Sequence, residues 1–142
     1  MDAMRYDKKL LIVDDELDAC MLMARLLRHK FAQVECAYSL TEALEKAYIL
    51  QPNVVLLDNN LPDGYGIEHI LDFKNVSTVP AQVVVISALD LRTEALAAGA
   101  DAFIGKPLLL ADLPWYKKIA ALLPARPNTT IFLFFESLIY RP

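Results

Sequence analysis

Three short runs of uninterrupted apolar residues, each closed by a polar one, organise this chain: Leu10 to Val13 before Asp14, Val54 to Leu57 before Asp58, and Val83 to Ile86 before Ser87. A strand with one wet face alternates apolar and polar residues, whereas a strand covered on both faces stays apolar throughout. The runs therefore predict buried strands of a parallel sheet. Weaker strands are predicted over Val34 to Ala37 and Ala102 to Ile104.

Helical patterns fill the intervals. Glu16 to Lys30 consists mostly of good helix formers. The next helix starts at Ser39, where Glu42 three residues on completes a capping box and Lys46 stands four residues after Glu42 as an ion-pair partner. It is expected to stop near Gln51, because Pro52 disfavours helical backbone in the residue before it. Further helices are predicted over Gly66 to Lys74, over Arg92 to Ala98 with Gly99 suited to the C-cap, and over Leu113 to Leu123 behind Asp112. Pro114 fits the first turn of that last helix, which has no internal N–H bond to lose. Alternating β-α units of this kind predict an α/β fold, a parallel sheet wrapped by helices on both faces, with functional residues at the carboxyl ends of the strands.

Bulk properties narrow the range of functions. With 142 residues, 56% of them hydrophobic, the chain is sized for one core and one domain. The net charge is -4 and the 14 Lys and Arg form no basic run, so binding of nucleic acid by this chain is not expected. Cys20 and Cys36 lie far apart in sequence within apolar surroundings and read as reduced core thiols rather than a disulfide or a zinc site. The first apolar run is too short and wrongly flanked for a signal peptide, and no later run reaches the length of a membrane span. The expected compartment is the cytoplasm.

Asp14, Asp15, Asp58, Ser87 and Lys106 all fall just after predicted strands, so the fold gathers them at one edge of the sheet. Clustered carboxylates repel one another, and a hard divalent cation that prefers oxygen ligands relieves the repulsion. Mg²⁺ suits best, since it keeps waters and takes only one or two protein carboxylates together with phosphate oxygens. A carboxylate can also act as a nucleophile toward phosphorus. An ammonium and a hydroxyl, here Lys106 and Ser87, can then neutralise the equatorial oxygens.

The segments KLLIVDDE (Lys9 to Glu16), VVLLDNNLPDGYG (Val54 to Gly66), VVVISA (Val83 to Ala88) and GADAFIGKP (Gly99 to Pro107) resemble the four signatures of response-regulator receiver domains. The resemblance covers residues 8 to about 123 and is carried by the four segments together, in order and at strand ends. It implies a flavodoxin-like, doubly wound (βα)5 fold, like that of the chemotaxis regulators, with strand order 2-1-3-4-5. It also implies a phosphoacceptor module of a two-component system or phosphorelay, which is not an enzyme beyond self-directed phosphotransfer and autodephosphorylation. Asp58 would accept phosphate from a sensor histidine kinase or phosphotransfer protein. Asp14, Asp15, Asp58 and the backbone carbonyl of Asn60 would hold Mg²⁺, and Ser87 and Lys106 would bind the phosphoryl group. Ser87 and Phe103 would form a switch. Asn60 and Leu89, each two residues beyond a signature residue, would influence the lifetime of the phosphoform, and an apolar Leu89 cannot align a hydrolytic water.

Each residue has an ordinary use as well. Asp14, Asp15 and Glu16 could simply favour a helix start, Lys106 before Pro107 could be a solvated turn lysine, and Phe103 could be plain core. Asp63-Gly64 reads as a turn, with Gly64 or Gly66 supplying a backbone angle. His29 and His69 lack a catalytic partner pattern, and Trp115 and Tyr116 fit packing or a partner surface equally.

Two departures from the family pattern bear on output. The stretch from Ser87 to Lys106 is about one helical turn shorter than in many receivers, which places the usual output surface in question. After the receiver domain, 1–123, comes an apolar extension, 124–142, that includes IFLFFESLIY; it carries no recognisable DNA-binding or enzymatic signature. It is expected to bury itself against a second copy of the chain as a homodimer contact, the alternatives being packing on its own domain or an artefact of truncation or a shifted reading frame. Haloacid-dehalogenase-like phosphatases, which also use an Asp nucleophile with Mg²⁺, need an acid/base Asp two residues later where this chain has Asn60. A receiver-like interaction scaffold acting without phosphate is the other alternative.

Overall fold

A computed structural model describes residues 7–106 together with Ile119 and Ala121. Five strands form the central sheet: β1 (Lys9–Val13), β2 (Gln33–Ala37), β3 (Val54–Asp58), β4 (Gln82–Ser87) and β5 (Ala102–Gly105). All neighbours pair in parallel, and the spatial order is β2-β1-β3-β4-β5, the doubly wound arrangement expected from the sequence.

The uninterrupted apolar runs have the predicted cause. Along β1, Leu10 and Ile12 face one core while Leu11 and Val13 face the other, and β3 divides Val54 and Leu56 from Val55 and Leu57 in the same way. Helix α1 (Leu17–Leu27) covers the first face through Cys20, Met23 and Leu27, joined there by Ile119. Helices α2 (Leu40–Leu50), α3 (Ile70–Asn75) and α4 (Arg92–Ala97) cover the second, with Ala43, Ala47, Phe73 and Ala95 fully buried. Leu56 and Leu57 are wholly excluded from solvent, so truncating either to Ala would cost about 2–5 kcal/mol.

Helix boundaries differ from the sequence expectation in instructive ways. The first helix relaxes at its end into a 3-10 turn over Arg28–Lys30, and the third begins as a 3-10 turn over Gly66–His69. Helix α2 ends as foreseen: Gln51 takes the C-cap with φ 56°, ahead of Pro52. The side chain of Gln51 secures this left-handed conformation, donating to the carbonyls of Tyr48 and Val76 and accepting from Thr78 N at 2.9 Å. At the end of α4 the cap falls on Ala98, and Gly99 follows it at φ 108°, a backbone conformation that a Cβ would strain.

The N-terminus of α2 corrects part of the capping box. Ser39 Oγ accepts from Glu42 N at 3.1 Å as predicted, but Glu42 Oε1 reaches back to Tyr38 N at 2.7 Å, one residue earlier than the motif implies. The Glu42 to Lys46 ion pair is not formed. Lys46 Nζ instead donates to the Cys36 carbonyl at 2.6 Å, a partner brought alongside only when β2 packs under α2. The predicted fifth helix, Pro107, Pro114, Trp115, Tyr116 and the extension 124–142 lie outside the described residues apart from Ile119 and Ala121, as does any homodimer contact through that extension. No helix among the described residues is long and apolar enough to cross a membrane.

Candidate functional site

The carboxyl ends of β1, β3, β4 and β5 open on one edge of the sheet, because parallel strands all finish on the same side. Asp14 follows β1 directly and is 1% exposed; Asp58 ends β3 and is 6% exposed. Asp14 Oδ1 accepts from Glu16 N at 2.9 Å, which fixes the carboxylate and leaves Oδ2 turned toward β5. Lys106 follows β5 and extends its ammonium between the two acids, 3.1 Å from Asp14 Oδ2 and 3.2 Å from Asp58 Oδ1. Ninety-two residues separate Lys106 from Asp14 in sequence.

Asp15 is exposed at the rim, yet one oxygen each from Asp14, Asp15 and Asp58 lie within 4.8 Å of one another. Burial pushes the Asp58 carboxyl up to a pKa of about 6, and the neighbouring Asp14 charge adds to the effect; Lys106 opposes it. Burial alone would lower the Lys106 pKa, but the carboxylates of Asp58 and Asp14 outweigh it and raise the ammonium above its usual range. Three acidic donors that close together, all offering oxygen, suit one small hard dication better than a soft metal.

Ser87 ends β4 and is buried; its Oγ accepts from Leu89 N at 3.1 Å, so the hydroxyl keeps its own proton for donation. The backbone carbonyl of Ser87 also receives Lys106 N at 2.8 Å, which ties the two together. Leu89 is 60% exposed. Phe103, on β5, is buried in the core with α2 and α3, and the Arg92 guanidinium lies 5.4 Å from its ring centroid.

Sequence reasoning missed the residues that build the loop after Asp58. Asn59 is buried: its backbone N donates to Ile86 O at 3.2 Å, its carbonyl accepts from Gly66 N at 2.8 Å, and its Oδ1 accepts from Ile67 N at 3.0 Å. A polar residue directly after an apolar strand was the available signal. Asn60, exposed, then opens a two-residue antiparallel ribbon, Asn60–Leu61 with Gly64–Tyr65. Gly66 is small because a Cβ there would stand 2.4 Å from the Asp58 carbonyl oxygen and 2.9 Å from Leu57 Cγ. The positive backbone angle belongs to Gly64, at φ 150°.

Asp63 has a larger role than a turn residue. Its two oxygens accept Leu40 N at 2.8 Å and Thr41 N at 2.9 Å, capping α2 from the loop of the phosphoacceptor candidate. Asp101 likewise joins elements, its Oδ2 accepting Lys74 Nζ at 2.6 Å and Val83 N at 2.8 Å. His69 makes a surface contact with Asp72 at 2.9 Å, away from the carboxylate cluster.

Residues 10–115 match the family model of the response regulator receiver domain. The chain is 35% identical over 113 residues to the KDP operon transcriptional regulatory protein KdpE of Escherichia coli, covering 78% of this chain and 49% of the relative. It is 33% identical over 131 residues to the transcriptional regulatory protein PrrA of Mycobacterium tuberculosis, covering 91% and 55%. The chain thus spans about half the length of the curated relatives it matches. Among solved structures, a two-component response regulator from Clostridium difficile superimposes with a TM-score of 0.72 at 28% identity, covering 82% of this chain and 95% of the other. The response regulator TrrA of Thermotoga maritima, in complex with Mg²⁺ and BeF, gives 0.69 at 25% identity, covering 82% and 99%.

Proposed function

The chain belongs to the response regulator receiver family, and from that premise we propose that Asp58 is its phosphoacceptor, charged by a sensor histidine kinase or phosphotransfer protein. The observation that carries this reading is the convergence of Asp14, Asp58 and Lys106, with Lys106 Nζ 3.1 Å and 3.2 Å from the two carboxylates.

The chemistry follows from the site. Asp58 attacks phosphorus through a carboxylate oxygen as the donor's N–P bond breaks, so it must be ionised; a pKa near 6 leaves it mostly so at neutral pH. Lys106 would meet the charge on an equatorial phosphoryl oxygen, and the Ser87 hydroxyl would donate to another. Asp14, Asp15, Asp58 and the Asn60 carbonyl would hold Mg²⁺, which when bound neutralises carboxylate and phosphoryl charge.

Once formed, the acyl phosphate adds charge and strong acceptors beside Ser87. Drawing the Ser87 hydroxyl toward it breaks the contact with Leu89 N, which frees the β4–α4 connection and lets Phe103 repack against a shifted Arg92. The relatives KdpE and PrrA are transcriptional regulators, so the signal is read by a downstream partner in transcription or by further chain like theirs, in the cytoplasm.

The test is incubation with acetyl phosphate or beryllofluoride and Mg²⁺, read by intact mass and fluorescence. Wild type should gain one Mg²⁺-dependent phosphoryl group and Asp58→Asn none. Equal modification of the variant, or none of the wild type, overturns the assignment.

A further inference from the structure

Cys20 and Cys36, unrelated in sequence spacing, meet in the fold. Cys20 lies on α1, fully buried, and Cys36 lies on the edge strand β2, half-buried and paired in register with Ile12. Cys36 packs against the same buried cluster as Cys20, and the residue it pairs with, Ile12, is the one whose carbonyl the Cys20 sulfur approaches. The Cys20 Sγ also stands 3.4 Å from the Asp14 carbonyl oxygen and 3.9 Å from that of Ile12, so the pair sits directly behind the residue that carries the first carboxylate of the site.

From this juxtaposition we infer that Cys20 and Cys36 form an oxidation site, a dithiol that peroxide closes to an intramolecular disulfide linking α1 to β2.

The two sulfurs differ in access. Cys36 is the partly exposed one and Cys20 the enclosed one, so Cys36 meets the oxidant first. The hydrogen bond from Cys20 holds the Cys36 thiol below its usual range; burial works against this, and the Lys46 ammonium, bonded to the Cys36 carbonyl at 2.6 Å, assists it. The Cys36 sulfur attacks one oxygen of hydrogen peroxide, the O–O bond breaks, and a sulfenic acid and one water result. Cys20 then attacks the Cys36 sulfur; the S–O bond breaks, the Cys20 proton leaves with the hydroxide as a second water, and the S–S bond forms. Two thiols lose two electrons and one peroxide gains them. In a reducing compartment such a bond is transient and reversible rather than a structural staple.

The experiment needs no phosphorylation, so it succeeds or fails independently of the Asp58 assignment. The full chain is reduced, exposed to hydrogen peroxide, quenched with N-ethylmaleimide under denaturing conditions and weighed intact. The expected result is a loss of about 2 Da, with neither cysteine alkylated and a non-reducing peptide map joining the segments that hold Cys20 and Cys36. Dithiothreitol should restore both alkylation sites. In Cys36→Ser, Cys20 should stay reduced and alkylatable at the same peroxide dose. Two alkylated cysteines after peroxide, oxygen adducts on Cys36 without the crosslink, disulfide-linked dimers, or oxidation of Cys20 in the Cys36→Ser variant as fast as in wild type would each overturn the inference.

Discussion

Lys106 Nζ lies 3.2 Å from Asp58 Oδ1, and this contact opposes everything else that acts on that carboxyl. Burial and the Asp14 charge favour the neutral acid; the ammonium favours the carboxylate. The balance leaves Asp58 with a pKa of about 6 in a folded chain and an ordinary value near 3.8 otherwise.

Replacing Lys106 with Met should therefore raise the Asp58 pKa further in the metal-free protein, by about one unit or more. A carbon-detected NMR titration of the Asp side chains checks this. A pKa that stays put or falls would show that the ammonium does not govern the acid.

The raised pKa has a stability consequence of definite sign. Between about pH 4 and pH 6 the folded chain binds more protons at Asp58 than the unfolded chain, so this group's contribution to stability declines as pH rises through that window. At neutral pH without divalent cation, Asp58→Asn should be the more stable protein, by roughly 1–2 kcal/mol. Urea unfolding at pH 4 and pH 7 should show the advantage at the higher pH only, and an advantage independent of pH would contradict this account.

Gly66→Ala places a methyl group 2.4 Å from the Asp58 carbonyl oxygen, a backbone atom that cannot swing aside. The loop after β3 must shift, at a cost of about 1–3 kcal/mol. Gly105→Ala, where nothing lies within 4 Å of the new Cβ, is the control and should unfold near the wild-type urea concentration.

Asp63 accepts hydrogen bonds from Thr41 and Leu40 at the start of α2, which hold its carboxyl below the usual range. Its contribution to stability is present above the unfolded pKa and is lost as pH falls through the lower folded one. Asp63→Ala should lower the urea midpoint at pH 7, with the gap from wild type closing in strong acid. A gap that persists undiminished at pH 2 would point to packing instead of the charged cap.

Leu89 is 60% exposed and follows Ser87 closely enough for its backbone N to donate to the Ser87 hydroxyl. Leu89→Glu should bring an acceptor for a hydrolytic water near the phosphoryl group and shorten the phosphoform several-fold. Decay of labelled protein after removal of the phosphodonor measures it, and an unchanged half-life would remove Leu89 from the explanation.

Much of the fold and the site was legible in one dimension. An apolar run means a strand covered on both faces, and a polar residue just after such a run means a group at the carboxyl edge of a parallel sheet. Asp14, Asp58, Ser87 and Lys106 could therefore be placed together without knowing a single distance, because every parallel strand ends on the same side. Other relationships had no sequence signature. Asp63 finds the amide of Leu40 across 23 positions, Asn59 turns inward to bind Ile67, Lys46 leaves Glu42 for the Cys36 carbonyl, and Cys20 meets Cys36 between α1 and β2. Periodicity reports which face of an element is buried, whereas these partners depend on how separate elements dock. The chain alone determined the layers and the edge where its chemistry gathers; only tertiary packing decided which side chains touch.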